Sequence, residues 1–100
     1  MTTNYDFQWD PQKAQSNSWK HGVNFEEAAS VFLDPRALTI YDPDHSGDED
    51  RWITLGVSKN ARLLLVCHTF EQKDPYISTI RIFSSRKGIK KEIHLYGEQQ

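Results

Sequence analysis

The sequence predicts a single α+β domain in two layers, with helices packed on one face of a mostly antiparallel sheet. Three observations carry this. Apolar residues at helical spacing are confined to the N-terminal third and the C-terminal end. Between Ala37 and Phe83 the pattern changes to extended runs rich in β-branched and aromatic residues. The chain has 100 residues, 37% hydrophobic and 26% charged, a globular balance of a size that buries one core. The domain is therefore read as spanning 1–100.

The first element is a short strand over Phe7–Trp9, where apolar ends flank a polar residue. Asp10-Pro11 follows, an acceptor for free helical N–H groups and then a residue suited to the first helical position. A helix is expected from Pro11 to about His21, stopped by Gly22, with Lys20 and His21 complementing the negative end of its dipole. Asn24 and Glu27 have capping-box spacing, and Phe25, Ala28, Ala29 and Phe32 form one apolar stripe that Asp34-Pro35 ends. Then come the strands ALTIY, RWITLGVS, RLLLVCHTF and YISTIRIF, with Lys59-Asn60 as a tight hairpin turn. Ser84 or Ser85 is expected to cap a last helix in which Ile89, Ile93 and Tyr96 form the buried stripe while Lys87, Lys90 and Lys91 stay wet.

Several functional classes drop out. The N-terminus lacks the succession of a secretory signal and no run approaches the ~20 apolar residues of a membrane span, so a cytoplasmic location is expected. Cys67 is the one cysteine and lies in LLLVCHTF, which reads as a buried small hydrophobe and rules out a thiolate metal cluster. The segment DPDHSGDED starts like a calcium loop, with Asp42, Asp44, Ser46 and Gly47 in register, but Ile53 stands where a bidentate Glu is required. His45 has no second His or Cys at ligand spacing and reads as an exposed loop residue. There is no Gly-rich phosphate loop, nucleophile elbow or H-E-x-x-H, and neither a metal nor a cofactor is expected.

What remains is charge. Met1–Asp50 carries three Lys/Arg against ten Asp/Glu, a formal −7, whereas Arg51–Gln100 carries nine against four, +5. A basic face can therefore exist under a net charge of −2. Arg81 stands between Ile80 and Ile82, so strand alternation sends it to the open side of the sheet if the isoleucines face the helices. Arg86 sits near the start of the last helix, and Arg51 and Arg62 begin two strands. Guanidinium groups on an open sheet face make a phosphate site; ion pairing with the acidic loop Asp48–Asp50 is expected for at least one of them.

Four blocks then give a resemblance over nearly the whole chain, Phe7 to about Tyr96: F-x-W-D-P-x-K-A, N-x-x-K-H-G-V-x-F-E-E-A-x-x-V-F-x-D-P, D-P-D-H-S-x-x-E-x-R and I-R-I-F-S-S-R. They resemble the BrnT family of type II toxins. The resemblance implies a RelE-like fold, with a sheet of about five strands, two N-terminal helices and one C-terminal helix. It also implies a small ribonuclease that arrests translation and growth and is neutralised by a BrnA-type antitoxin with a ribbon-helix-helix DNA-binding domain. The expected assembly is a heterotetramer that reaches operator DNA only through the antitoxin. Asn60-Ala61 departs from the glycine often found before the arginine matching Arg62, and Lys87-Gly88 varies the start of the last helix.

A metal-independent ribonuclease must deprotonate the ribose hydroxyl, stabilise a phosphorane-like transition state and protonate the leaving oxygen. Arg81 and Arg86 suit the second task; His21, Lys20 or Glu49 suit the first or third. Arg51, Arg62, Lys87 and Lys90 are candidates for binding RNA. Lys20-His21-Gly22 is at once a sound helix terminus and a candidate catalytic element. The alternatives are a non-catalytic partner of a ribbon-helix-helix regulator and a DNA-binding module, the latter disfavoured because no helix-turn-helix pattern is present.

Overall fold

Strand β6 (Ile77–Lys87) organises the sheet, because its eleven residues serve three partners. The structure, a computed structural model, describes residues 4–98. Strands β2 (Leu38–Tyr41), β3 (Trp52–Val57) and β4 (Leu63–His68) form an antiparallel meander that joins β6 through β4. β5 (Glu71–Asp74) continues along the same edge of β6, and β1 (Asn4–Gln8) pairs parallel with the other, from Asn4 opposite Ile77 to Gln8 opposite Arg81. The result is a six-stranded sheet in the order β1-β6-β4-β3-β2, with β5 on β6.

Helix α1 (Pro11–His21) begins as its sequence dictates, with the Asp10 carboxylate accepting from the Gln12 N–H at 2.8 Å. It ends at Gly22, whose φ of 67° supplies the left-handed cap. α1 takes up the length of β6 that β1 leaves free. Its buried Asn17 acts as a strand surrogate: the amide donates to the Ser85 carbonyl at 2.8 Å and accepts from the Ser85 N–H at 3.0 Å. Helix α2 (Phe25–Ser30) is capped by Asn24, which accepts from Glu27 N–H at 2.7 Å. Only half of the expected capping box forms, because the Glu27 side chain turns inward to Arg62. A turn of 3₁₀ helix, Val31–Leu33, follows and lies against Gly56 of β3, where a Cβ would sit 2.8 Å from Val31.

The core fills the space between these helices and one face of the sheet: Val23, Phe25, Ala28 and Val31 against Leu64, Val66, Ile80 and Ile82. On the same side His68 is buried and linked to the strands by hydroxyls. Its Nδ1 lies 2.9 Å from the Thr69 carbonyl, which can only accept, so Nδ1 carries the proton. Nε2 then accepts from Thr54 at 2.7 Å, and Thr54 accepts from Thr39 at 2.7 Å. Burial pushes the His68 pKa down and keeps the ring neutral.

Several sequence expectations are corrected. The first strand runs Asn4–Gln8, and Trp9 leaves it to pack edge-on against Phe25 at 5.9 Å. β5 had no hydrophobic signal, since all four of its residues are exposed. Ser84 and Ser85 cap nothing: they lie within β6, and α3 (Lys90–Gly97) starts after Ile89, whose N–H is accepted by Glu92 at 2.9 Å. Ile89 and Ile93 are each 55% exposed, so the expected stripe does not dock. Polar anchors hold α3 instead, with Tyr96 donating to Asp34 and Arg86 pairing with Glu92. Cys67 is half-buried rather than buried, because alternation turns it to the outer face while Val66 and His68 point inward.

Candidate nucleic-acid interface

The outer face of the sheet is where alternation collects the basic side chains. Ile80 and Ile82 are in the core, so Arg81 between them points outward. Beyond it the ladder slips: Cys67 stands opposite Ser84 and His68 opposite Ile82, leaving Phe83 as the extra residue of a β-bulge. The half-buried Phe83 ring becomes a platform for cations from three elements. Arg51, just before β3, stacks with its guanidinium carbon 4.1 Å from the ring centroid; Arg81 of β6 lies at 4.9 Å and the Lys13 ammonium of α1 at 5.3 Å. A ring face attracts each cation by ~0.5–1 kcal/mol at exposed sites, but the cations repel one another. Their shared demand is for an anion.

Glu49 meets part of that demand through an ion pair with Arg81. Both side chains are more than two-fifths exposed, so the pair is worth at most ~1 kcal/mol and a phosphate can displace it. Lys20 and His21, exposed at the end of α1, join from the other direction: they share a groove of about 240 Å³ with Lys13, Phe83 and Ser84. Arg51, Arg81, Glu49, Lys20 and His21 are thus linked in one neighbourhood.

The other sequence-predicted residues fall elsewhere. Arg62 opens β4 at its far end and is committed to the core. It forms a forked ion pair with buried Glu27, with Nε 2.8 Å from Oε2, and also donates to the Gly22 carbonyl at 3.1 Å. The Arg62 guanidinium holds the Glu27 carboxyl down at about 2 despite burial, helped by the Ser58 hydroxyl at 2.7 Å. Arg86 points to the outer face but makes two 2.8 Å bonds to Glu92, and its pKa is raised by that carboxylate. Its first duty is to fasten α3. Lys87 and Lys90 are exposed at the end of β6 and the start of α3, beside Arg86.

Lys13 and Phe83 were missed, although both left a signal. Lys13 is seven residues before Lys20 and so on the same side of a helix. Phe83 shares the parity of Arg81, which marks an outward aromatic beside an outward cation. His68 was also missed, but it lines an apolar cavity of about 400 Å³ with Phe32, Trp52 and Phe70 on the core side, and its buried, neutral ring is turned to the face of the sheet opposite the cations.

This α+β frame, with its open, cation-bearing sheet face, has the fold of a small ribonuclease toxin. It superimposes on the crystal structure of the Brucella abortus ribonuclease toxin BrnT with a TM-score of 0.59, covering 87% of this chain and 100% of that one at 22% identity. The sequence profile of the ribonuclease toxin BrnT of type II toxin-antitoxin systems matches residues 9–92, and the chain belongs to that family. No curated protein sequence matches it. Among the described residues no helix is long and apolar enough to cross a membrane.

Proposed function

We propose that the protein is an endoribonuclease toxin that cuts RNA at the Phe83 platform without a metal ion. The observation that supports this reading best is the convergence of Lys13, Arg51 and Arg81 on one ring at an exposed sheet face. A scissile phosphate seated there displaces Glu49 from Arg81. Arg81 and Arg51 then neutralise the charge that grows on the phosphorane-like transition state. Glu49, released beside the phosphate, and His21, in the adjoining groove, reach the site from different elements and are suited to the two proton transfers, with Lys20 as a further cation. Lys87 and Lys90 extend the basic track along β6 toward α3, while Arg86 beside them stays paired with Glu92. Cleavage of messenger RNA arrests translation and growth.

A BrnA-like ribbon-helix-helix antitoxin is the proposed inhibitor, covering the basic face in a heterotetramer whose DNA-binding end stays free to hold operator DNA. The test is inducible expression of the toxin alone and with the small protein encoded beside it, with mapping of cellular RNA ends. New ends and growth arrest in the first case, both suppressed in the second, are expected. Growth arrest without new RNA ends would overturn the nuclease reading and leave a binding protein.

A further inference from the structure

Two residues back along β6 from Arg81, about 6.6 Å at strand spacing, the outer face dips into a second, polar cavity of about 260 Å³. Its composition is unlike the rest of the basic face. Glu49, Asp50 and Arg81 stand at one side with Gln8 and Thr69; Glu71, Lys73 and Thr79 line the other, with Phe70 at the border. Thr79 is 7% exposed, and among the described residues its hydroxyl has no hydrogen-bond partner. A buried hydroxyl left open in this way costs about as much as a lost hydrogen bond unless a ligand completes it. Of the three carboxylates on the cavity, Glu49 is paired with Arg81 and Asp50 accepts from the Tyr41 hydroxyl, whereas Glu71 forms no ion pair among the described residues. For RNA backbone alone this is a liability. For a nucleobase it is a reader, since a carboxylate accepts from base N–H groups and repels the wrong edge.

We propose that this cavity takes a guanine base next to the phosphate held by Arg81. The assignment rests on the nuclease reading of the adjoining site. Guanine presents two adjacent donors, N1–H and the N2 amino group, which match the two oxygens of Glu71. Its O6 acceptor matches the Lys73 ammonium, which is on the same strand and lines the same cavity. Phe70, 48% exposed and bordering both this cavity and the core-side one, offers the base an apolar edge, and the Thr79 hydroxyl can bond to the base or sugar. Adenine places an acceptor where guanine has N1–H, and uracil carries one donor between two acceptors, so each leaves Glu71 facing a lone pair. Arg81 lines the cavity and also stacks on Phe83, so a base in the one and a phosphate at the other can belong to one nucleotide.

The test measures binding of four 2′-O-methyl hexanucleotides by fluorescence anisotropy, which removes the cleavable hydroxyl. Three contain one guanine, one inosine or one adenine in oligouridine, and the fourth is oligouridine alone. Wild-type protein is expected to bind the guanine oligomer at least about tenfold more tightly than the adenine one, the lower part of what a paired base contact discriminates. Inosine, which lacks the N2 amino group, should fall between. Glu71→Gln, at an exposed edge position, is expected to reduce the preference below about threefold while strengthening oligouridine binding, because uracil no longer faces a carboxylate. Equal binding of guanine and adenine, a preference that Glu71→Gln does not touch, or failure to bind any of the four overturns the proposal. Cleavage of a 2′-hydroxyl RNA is scored separately. Cutting without base preference removes the guanine site and keeps the nuclease; guanine preference without cutting does the reverse.

Discussion

At the scale of single residues, the informative positions are those where a side chain is held by something other than its sequence neighbours. Ala61 is one. It is the only non-glycine residue with positive φ among the described residues, at 60°, and it closes the β3–β4 hairpin. The Ala61 N–H donates to the Ser58 carbonyl at 2.9 Å and Ser58 N–H to the Arg62 carbonyl at 2.8 Å, a turn followed by one left-handed residue. That is the place for glycine, and it gives a physical reason for the glycine expected before Arg62. Ala61→Gly should stabilise the fold by about 0.5–1 kcal/mol, the relief of left-handed strain less the added freedom of the unfolded chain. A rise in the urea midpoint at unchanged slope would show it; a fall would mean that the turn prefers alanine. Phe83 is the opposite case. Its identity is ordinary for a strand and alternation already turns it outward with Arg81; its role comes from the neighbours that the fold gathers on the ring, Arg51, Arg81 and Lys13.

At the scale of elements, the fold depends on a few polar locks that replace missing apolar contacts. The one between α2 and the β3–β4 hairpin is Glu27 with Arg62 and Ser58. Since Glu27 ionises at about 2 when folded and near 4.5 otherwise, its contribution is complete above about pH 4.5 and is lost as pH falls toward 2. The span corresponds to roughly 3 kcal/mol. Unfolding free energies of wild type and Glu27→Gln should therefore differ most at neutral pH and converge by about that amount across the acid range. A difference that stays constant with pH would show that charge is not what locks α2. Such locks explain which elements were legible beforehand. α1, α2 and the four apolar runs announced themselves by period and caps. β5 is entirely exposed and gave no period, and the start of α3 depends on Glu92 reaching back to Ile89, which the nearer serines obscured. The Asn17–Ser85 pairing joins positions 68 apart in sequence, and no local pattern encodes it.

At the scale of the whole molecule, the two oppositely charged halves of the chain are folded so that acid and base interleave at the site. The acidic loop supplies Glu49 to Arg81. α1, from the acidic half, brings Lys13, Lys20 and His21 to the basic half's β6. The candidate site was therefore half legible: Arg81, Arg51, Glu49, Lys20 and His21 were visible as residue types and do converge, whereas Arg62 and Arg86 looked equivalent in sequence and are spent on Glu27 and Glu92. Arg51→Ala should lower the slope of log affinity against log salt for non-cleavable RNA by about 0.7, one phosphate contact on a single strand. Arg62→Ala, in the folded fraction, should leave that slope unchanged. Equal effects of the two would mean that RNA follows net charge and not the Phe83 platform.

The central claim is that Arg81 stabilises charge in the transition state of RNA cleavage. Its most direct test is the single-turnover cleavage rate of Arg81→Ala against wild type in EDTA, at enzyme concentrations that saturate the RNA and with folding checked by thermal melts. Wild type is expected to cut without divalent metal, and the variant to lose ~100-fold or more in rate with little change in melting temperature. A variant that cuts at the wild-type rate, or a wild type inactive until metal is added, would contradict it.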